Sequence, residues 1–100
     1  MLHTVNKSPF EKSTFESCLT HARSGDVVLL IEDGVYAAMK GTAMSDQIAA
    51  RNGDVKLYAL GPDLSARGIK ETALMDGIDV VDYGGFVDLV TQHEVTQAWL

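Results

Sequence analysis

The sequence predicts an α/β fold, a single small domain over residues 1–100 built on a mainly parallel five-stranded sheet flanked by helices. Three observations predict it: short aliphatic runs recur five times, helix-length material separates them, and VVLLI at Val27 to Ile31 shows no polar alternation. A continuous apolar run suits a strand covered on both faces. Helix-length connections between such strands make parallel, right-handed crossovers.

LHTV, Leu2 to Val5, reads as the first strand. Ser8 then offers an N-cap and Pro9 a first helical residue, while Gly25 supplies a stop, so a helix is expected from about Pro9 to Ser24. VVLLIE, Val27 to Glu32, is the second strand. Ile48, Ala49 and Ala50 in SDQIAARNG mark a second helix ended by Asn52 and Gly53. VKLYAL, Val55 to Leu60, gives the third strand, after which Asp63 can cap a short helical turn through Ala66 and pair with Arg67. DVVDY, Asp79 to Tyr83, is the fourth strand, and Gly84 with Gly85 introduces a last helix, FVDLVTQH, that carries Phe86, Leu89 and Val90 on one side. VTQAWL, Val95 to Leu100, is a fifth strand and is expected at a sheet edge. Lys40 to Asp46 and Lys70 to Gly77 show no clean period.

Fourteen acidic residues against eight basic ones give a formal charge of -6, and the cations are scattered singly along the chain. That balance disfavours direct binding to nucleic acid or to an anionic membrane. No apolar run approaches the roughly 20 residues of a membrane span, the first residues lack a secretory pattern, and one cysteine cannot close an internal disulfide, so a cytoplasmic location is expected. With 46% apolar residues in a chain this small, apolar surface is left over for partner chains.

Phe15, Cys18, Leu19 and Ala22 fall on one helical arc, with Cys18 at its edge and His21 one turn further on. Two readings stay open: a buried, inert thiol, or an edge thiol assisted by His21. Glu32, Asp33, Asp63 and Asp82 lie at the carboxyl ends of strands, where a phosphoacceptor domain would hold a divalent ion, but each also suits an ordinary turn or cap. A receiver-like domain would place acidic residues after the first strand and a lysine after a late one; those regions read HTVNKS and VVDYGG. YGGF matches no phosphate-binding glycine pattern. His3 and His93 lack partners at metal-ligand spacing, and His93 suits a helix C-terminus. No metal or cofactor is expected.

Taken together and in order, MLHTVNKSPFE, LLIEDGVYAA, LYALGPDLSARG, VVDYGGFVDLV and the terminal QAWL resemble the DsrH family, called TusB in its tRNA-modification branch. The resemblance implies a DsrE/DsrF/DsrH-type fold and a cytoplasmic heterohexamer with DsrE/TusD-like and DsrF/TusC-like subunits that relays persulfide sulfur to a sulfur-carrier protein. It places the principal persulfide cysteine on the DsrE or TusD subunit. DsrH-type chains of sulfur oxidisers carry a first-helix cysteine matching Cys18, where TusB-type chains can carry an apolar residue. The leading expectation is therefore a sulfurtransferase-complex subunit of oxidative sulfur metabolism, with Cys18 a candidate secondary sulfur acceptor. The alternatives are a TusB-type subunit of the relay for 2-thiolation of the tRNA wobble uridine, and a purely structural subunit with an inert cysteine.

Overall fold

The computed structural model describes Met1–Leu100. Five strands, β1 (Leu2–Val5), β2 (Val27–Leu30), β3 (Lys56–Leu60), β4 (Ile78–Val81) and β5 (Thr96–Trp99), form one sheet in the order β4-β3-β2-β1-β5. All neighbouring pairs are parallel. Helices α1 (Thr14–His21), α2 (Ser45–Ala50), α3 (Gly61–Ala66) and α4 (Tyr83–Gln92) fill the connections, with 3-10 helices at Glu32–Ala38 and Glu71–Ala73.

Strand order explains the layering. From β1 to β4 the chain steps across the sheet in one direction, and crossovers of one hand put those connections on one face. The step from β4 to β5 runs back past all the others, so its helix, α4, belongs on the opposite face. The core divides accordingly. The larger cluster joins Val5, Val28, Leu30, Leu57 and Ala59 of the sheet to Phe15, Cys18 and Leu19 of α1, Ile48 of α2, Leu64 of α3 and Val35, Ala37 and Ala38 of the first 3-10 helix. The smaller joins Leu2 and Leu29 to Leu89, with Phe86 packed against it.

Several expected boundaries move. The first helix starts at Thr14 rather than Pro9, because the Ser8 hydroxyl accepts from the Phe10 N–H at 3.2 Å and its carbonyl accepts from Glu11 and Lys12, closing a separate turn. It ends at His21 rather than Ser24. Arg51 donates to the Leu19 and Ala22 carbonyls, the latter at 2.7 Å, and Asp26 accepts the Arg23 N–H at 2.9 Å. Tertiary partners thus replace the last helical turn. Asp63 is not the cap of α3: its carboxylate accepts the Glu32 N–H at 2.6 Å, and Arg67 pairs with Asp33 at 2.9 Å while touching only the carbonyl of Asp63. Tyr83 leaves the fourth strand for the first turn of α4, because Asp82 caps that helix by accepting the Gly85 N–H at 2.8 Å. The two aperiodic stretches meet where the Lys40 N–H donates to the Ala73 carbonyl at 2.8 Å, beside an antiparallel bridge between Met39 and Leu74.

Candidate functional site

Cys18 comes first because it is the only nucleophilic sulfur in the chain. On α1 it projects between Phe15 and Leu19 into the larger core and is 0% exposed. Burial, reinforced by the negative charge of Asp26, pushes its thiol up to about 12, away from the thiolate that sulfur transfer needs. His21 does not assist it. Its Nδ1 donates to the Ser17 carbonyl at 2.8 Å and its ring lies 5.7 Å from that of Trp99.

The acidic residues singled out at the strand ends do not all converge on one site. Glu32, Asp33 and Asp63 meet near the carboxyl end of β2, with Arg67 joining through Asp33, whereas Asp82 is committed to the α4 cap. Glu32 adopts a φ of 49°, a left-handed conformation held by the bond from its N–H to Asp63. His93 donates to the Leu89 carbonyl at 2.7 Å, the expected use of a histidine at a helix C-terminus.

A second constellation, missed in the sequence, joins both ends of the chain. The Asp26 carboxylate accepts from the terminal ammonium of Met1 at 3.1 Å and faces His3 Nε2 at 2.9 Å, while Trp99 Nε1 lies 3.0 Å from His3 Nδ1. An indole N–H can only donate, so His3 Nδ1 must accept and Nε2 must carry the proton toward Asp26. Burial alone would raise the Asp26 carboxyl; the Arg23 N–H, His3 and the terminal ammonium outweigh it and hold the group well below the usual carboxylate range. These residues border an open cleft of about 550 Å³ with His21, Arg23 and Gln97.

This resembles a catalytic Asp-His pair, but the nitrogen such a pair would offer to a substrate is taken by Trp99. The network is a tie that fastens the edge strand β5 and the N-terminus to the sheet. Trp99→Phe keeps an aromatic ring but removes the indole N–H and leaves His3 Nδ1 unpaired, so a loss of about 1–2 kcal/mol is expected in urea titration followed by circular dichroism. An unchanged midpoint would show that the bond contributes nothing. Sequence separation hid this site, since its members lie 23 and 96 positions apart.

No group of three or more His, Cys, Asp or Glu side chains is arranged to hold a metal ion. No helix is long and apolar enough to cross a membrane.

The fold is shared with solved structures. A protein of unknown function, MTH1491, from Methanobacterium thermoautotrophicum superposes with a TM-score of 0.76 at 19% identity, covering 97% of this chain and 96% of that one. The ychN protein of E. coli gives a TM-score of 0.76 at 16% identity, covering 97% of each chain. In sequence, "Protein TusB" of Shigella flexneri is 40% identical over 99 residues, spanning 99% of this chain and all of the relative. "Protein TusB" of Escherichia coli strain K12 is 39% identical over the same span. The family model described as DsrH like protein matches residues 7–96. That match takes in all four helices and the strands β2, β3 and β4, and the chain belongs to the DsrH family.

Proposed function

We propose that this chain is a partner-binding subunit of a cytoplasmic sulfur-relay complex, in the branch that passes sulfur toward the wobble uridine of tRNA. Family membership supports the relay role, and full-length relatives named TusB at 39–40% identity support the branch. The observation that carries the reading is the burial of the chain's one thiol: a relay subunit whose cysteine is 0% exposed works through what its partners present. A cysteine in the first helix favoured the sulfur-oxidising branch, but a buried Cys18 fills space that an apolar side chain could fill. Its identity therefore does not separate the branches.

Deleting the gene in the native host should abolish 2-thiouridine in tRNA, measured by mass spectrometry of nucleosides, and Cys18→Ala should restore it. Unchanged thiolation in the deletion strain would overturn the branch. Native mass spectrometry after co-expression with DsrE/TusD-like and DsrF/TusC-like chains should give a mixed assembly.

A second reading keeps Cys18 as a secondary acceptor in sulfur oxidation, favoured by the presence of the thiol itself. In that step the Cys18 thiolate attacks the outer sulfur of a donor persulfide; a new S–S bond forms on Cys18, the donor's S–S bond breaks, and the donor leaves as a thiolate. It requires α1 to lift from the sheet. Incubation of the folded protein with a persulfidated donor should leave Cys18 unmodified, and a mass gain of one sulfur, absent in Cys18→Ser, would establish the acceptor role instead.

A further inference from the structure

Helix α4 is apolar over twice the arc that its own sheet covers. At about 100° per residue, Leu89, Phe86, Val90, Tyr83 and Val87 span an arc of roughly 160°. Leu89 and Phe86 pack on the sheet. Tyr83, Val87 and Val90, at i, i+4 and i+7, are 62%, 60% and 39% exposed. The sheet beside the helix is bare as well. Thr96 and Ala98 stand opposite Leu2 and Thr4 in the parallel register, so they share the face on which Leu2 meets α4, and Thr96, Ala98 and Leu100 are all exposed.

The charge around this surface has one sign. Beyond Lys70 the sequence contains no Lys or Arg, but it contains Glu71, Asp76, Asp79, Asp82, Asp88 and Glu94. Asp82 caps α4, Asp88 lies on it and Glu94 follows it. Lys56, on the same face of the sheet, is paired with Asp79 at 2.9 Å. A second copy of this chain would bring carboxylates against carboxylates, which disfavours self-association through this face.

We infer that the outer face of α4 and the bare face of β5 form a docking surface for a different protein chain, one that presents an apolar patch rimmed by Lys and Arg. This rests on the reading of the chain as a subunit of a mixed complex, and it assigns that contact to Tyr83, Val87 and Val90 with Asp88 and Glu94 at the rim. Apolar side chains supply the affinity, while the acidic rim steers association and rejects identical copies.

The test uses the chain co-expressed with its DsrE/TusD-like and DsrF/TusC-like companions. Val87→Asp should weaken assembly about 10-fold or more while leaving the thermal midpoint of the isolated chain unchanged, because Val87 makes no core contact. Asp88→Lys combined with Glu94→Lys should slow association about 10-fold at low salt, with the difference vanishing near ~0.5 M salt. If the wild type assembles and Val87→Asp assembles equally well, the surface is overturned while the subunit reading stands. A Val87→Asp defect without a salt-dependent effect of the charge reversal overturns the basic rim. Self-association of the isolated wild type that Val87→Asp abolishes makes the occupant a second copy and overturns the proposal. Failure of the wild type to assemble with either companion overturns the subunit reading, and the surface with it.

Discussion

Gly34→Ala should lower the melting temperature by roughly 12–24 °C, equivalent to about 3 kcal/mol in a domain of this size. Gly34 sits in the first 3-10 helix, where that helix turns back over the end of β1. A Cβ there would lie 2.1 Å from the Val5 carbonyl oxygen and 2.9 Å from its carbon. Both are backbone atoms, and the strand carrying them pairs with β2 and β5 at once, so they cannot yield without disturbing the pairing on both sides of β1. The glycine is required by close approach rather than by an unusual backbone angle. Gly53→Ala is the control: its φ is 88° and nothing lies within 4 Å of an added Cβ, so it should show only the smaller strain of a left-handed alanine. Equal losses at the two positions would refute the packing explanation. Thermal unfolding by circular dichroism distinguishes them.

Asp26→Asn should cost about 2 kcal/mol at pH 7, and the gap between variant and wild type should close in acid. The carboxylate accepts charge-assisted bonds from the terminal ammonium and the Arg23 N–H and receives the His3 Nε2–H. Its folded pKa lies below that of an unfolded aspartate, near 3.9, so the stabilisation is fully present above about pH 4 and is lost as the pH falls toward the folded value. An asparagine does not titrate, so the variant lacks this part of the acid slope. Urea titrations between about pH 7 and pH 2 should show the two stabilities converging as acid is added. A gap that stays constant with pH would mean that Asp26 acts through shape alone. The same variant removes a charge that holds up the Cys18 thiol, but burial remains the larger cause, so a thiol reagent should still label Cys18 only on unfolding.

The parallel sheet was legible because its strands are short, aliphatic and separated by helix-length connections, a pattern that depends on neighbours in the chain. The apolar arc of Phe15, Cys18, Leu19 and Ala22 was legible in the same way, but it set Cys18 at its edge and left the burial of the thiol open. The Glu32–Ala38 helix was less legible: EDGVYAA has neither an amphipathic period nor the length of an ordinary helix, and it is held by packing on the end of β1. The role of Asp63 was misread because its partner, the Glu32 N–H, is 31 positions away.

By itself the sequence determined the fold class, the five strands, the acidic charge and the family, because each depends on local periodicity, composition or motifs read in order. Only the tertiary structure decided the rest. It closed off Cys18, turned His21 toward Trp99, tied Asp26, His3 and Trp99 into one partly buried chain of hydrogen bonds, and left half of the apolar arc of α4 facing outward. The physical reason is common to all four. Desolvation, hydrogen-bond partnership and exposure depend on which distant segments the strand order β4-β3-β2-β1-β5 brings together, and spacing along the chain carries no record of that.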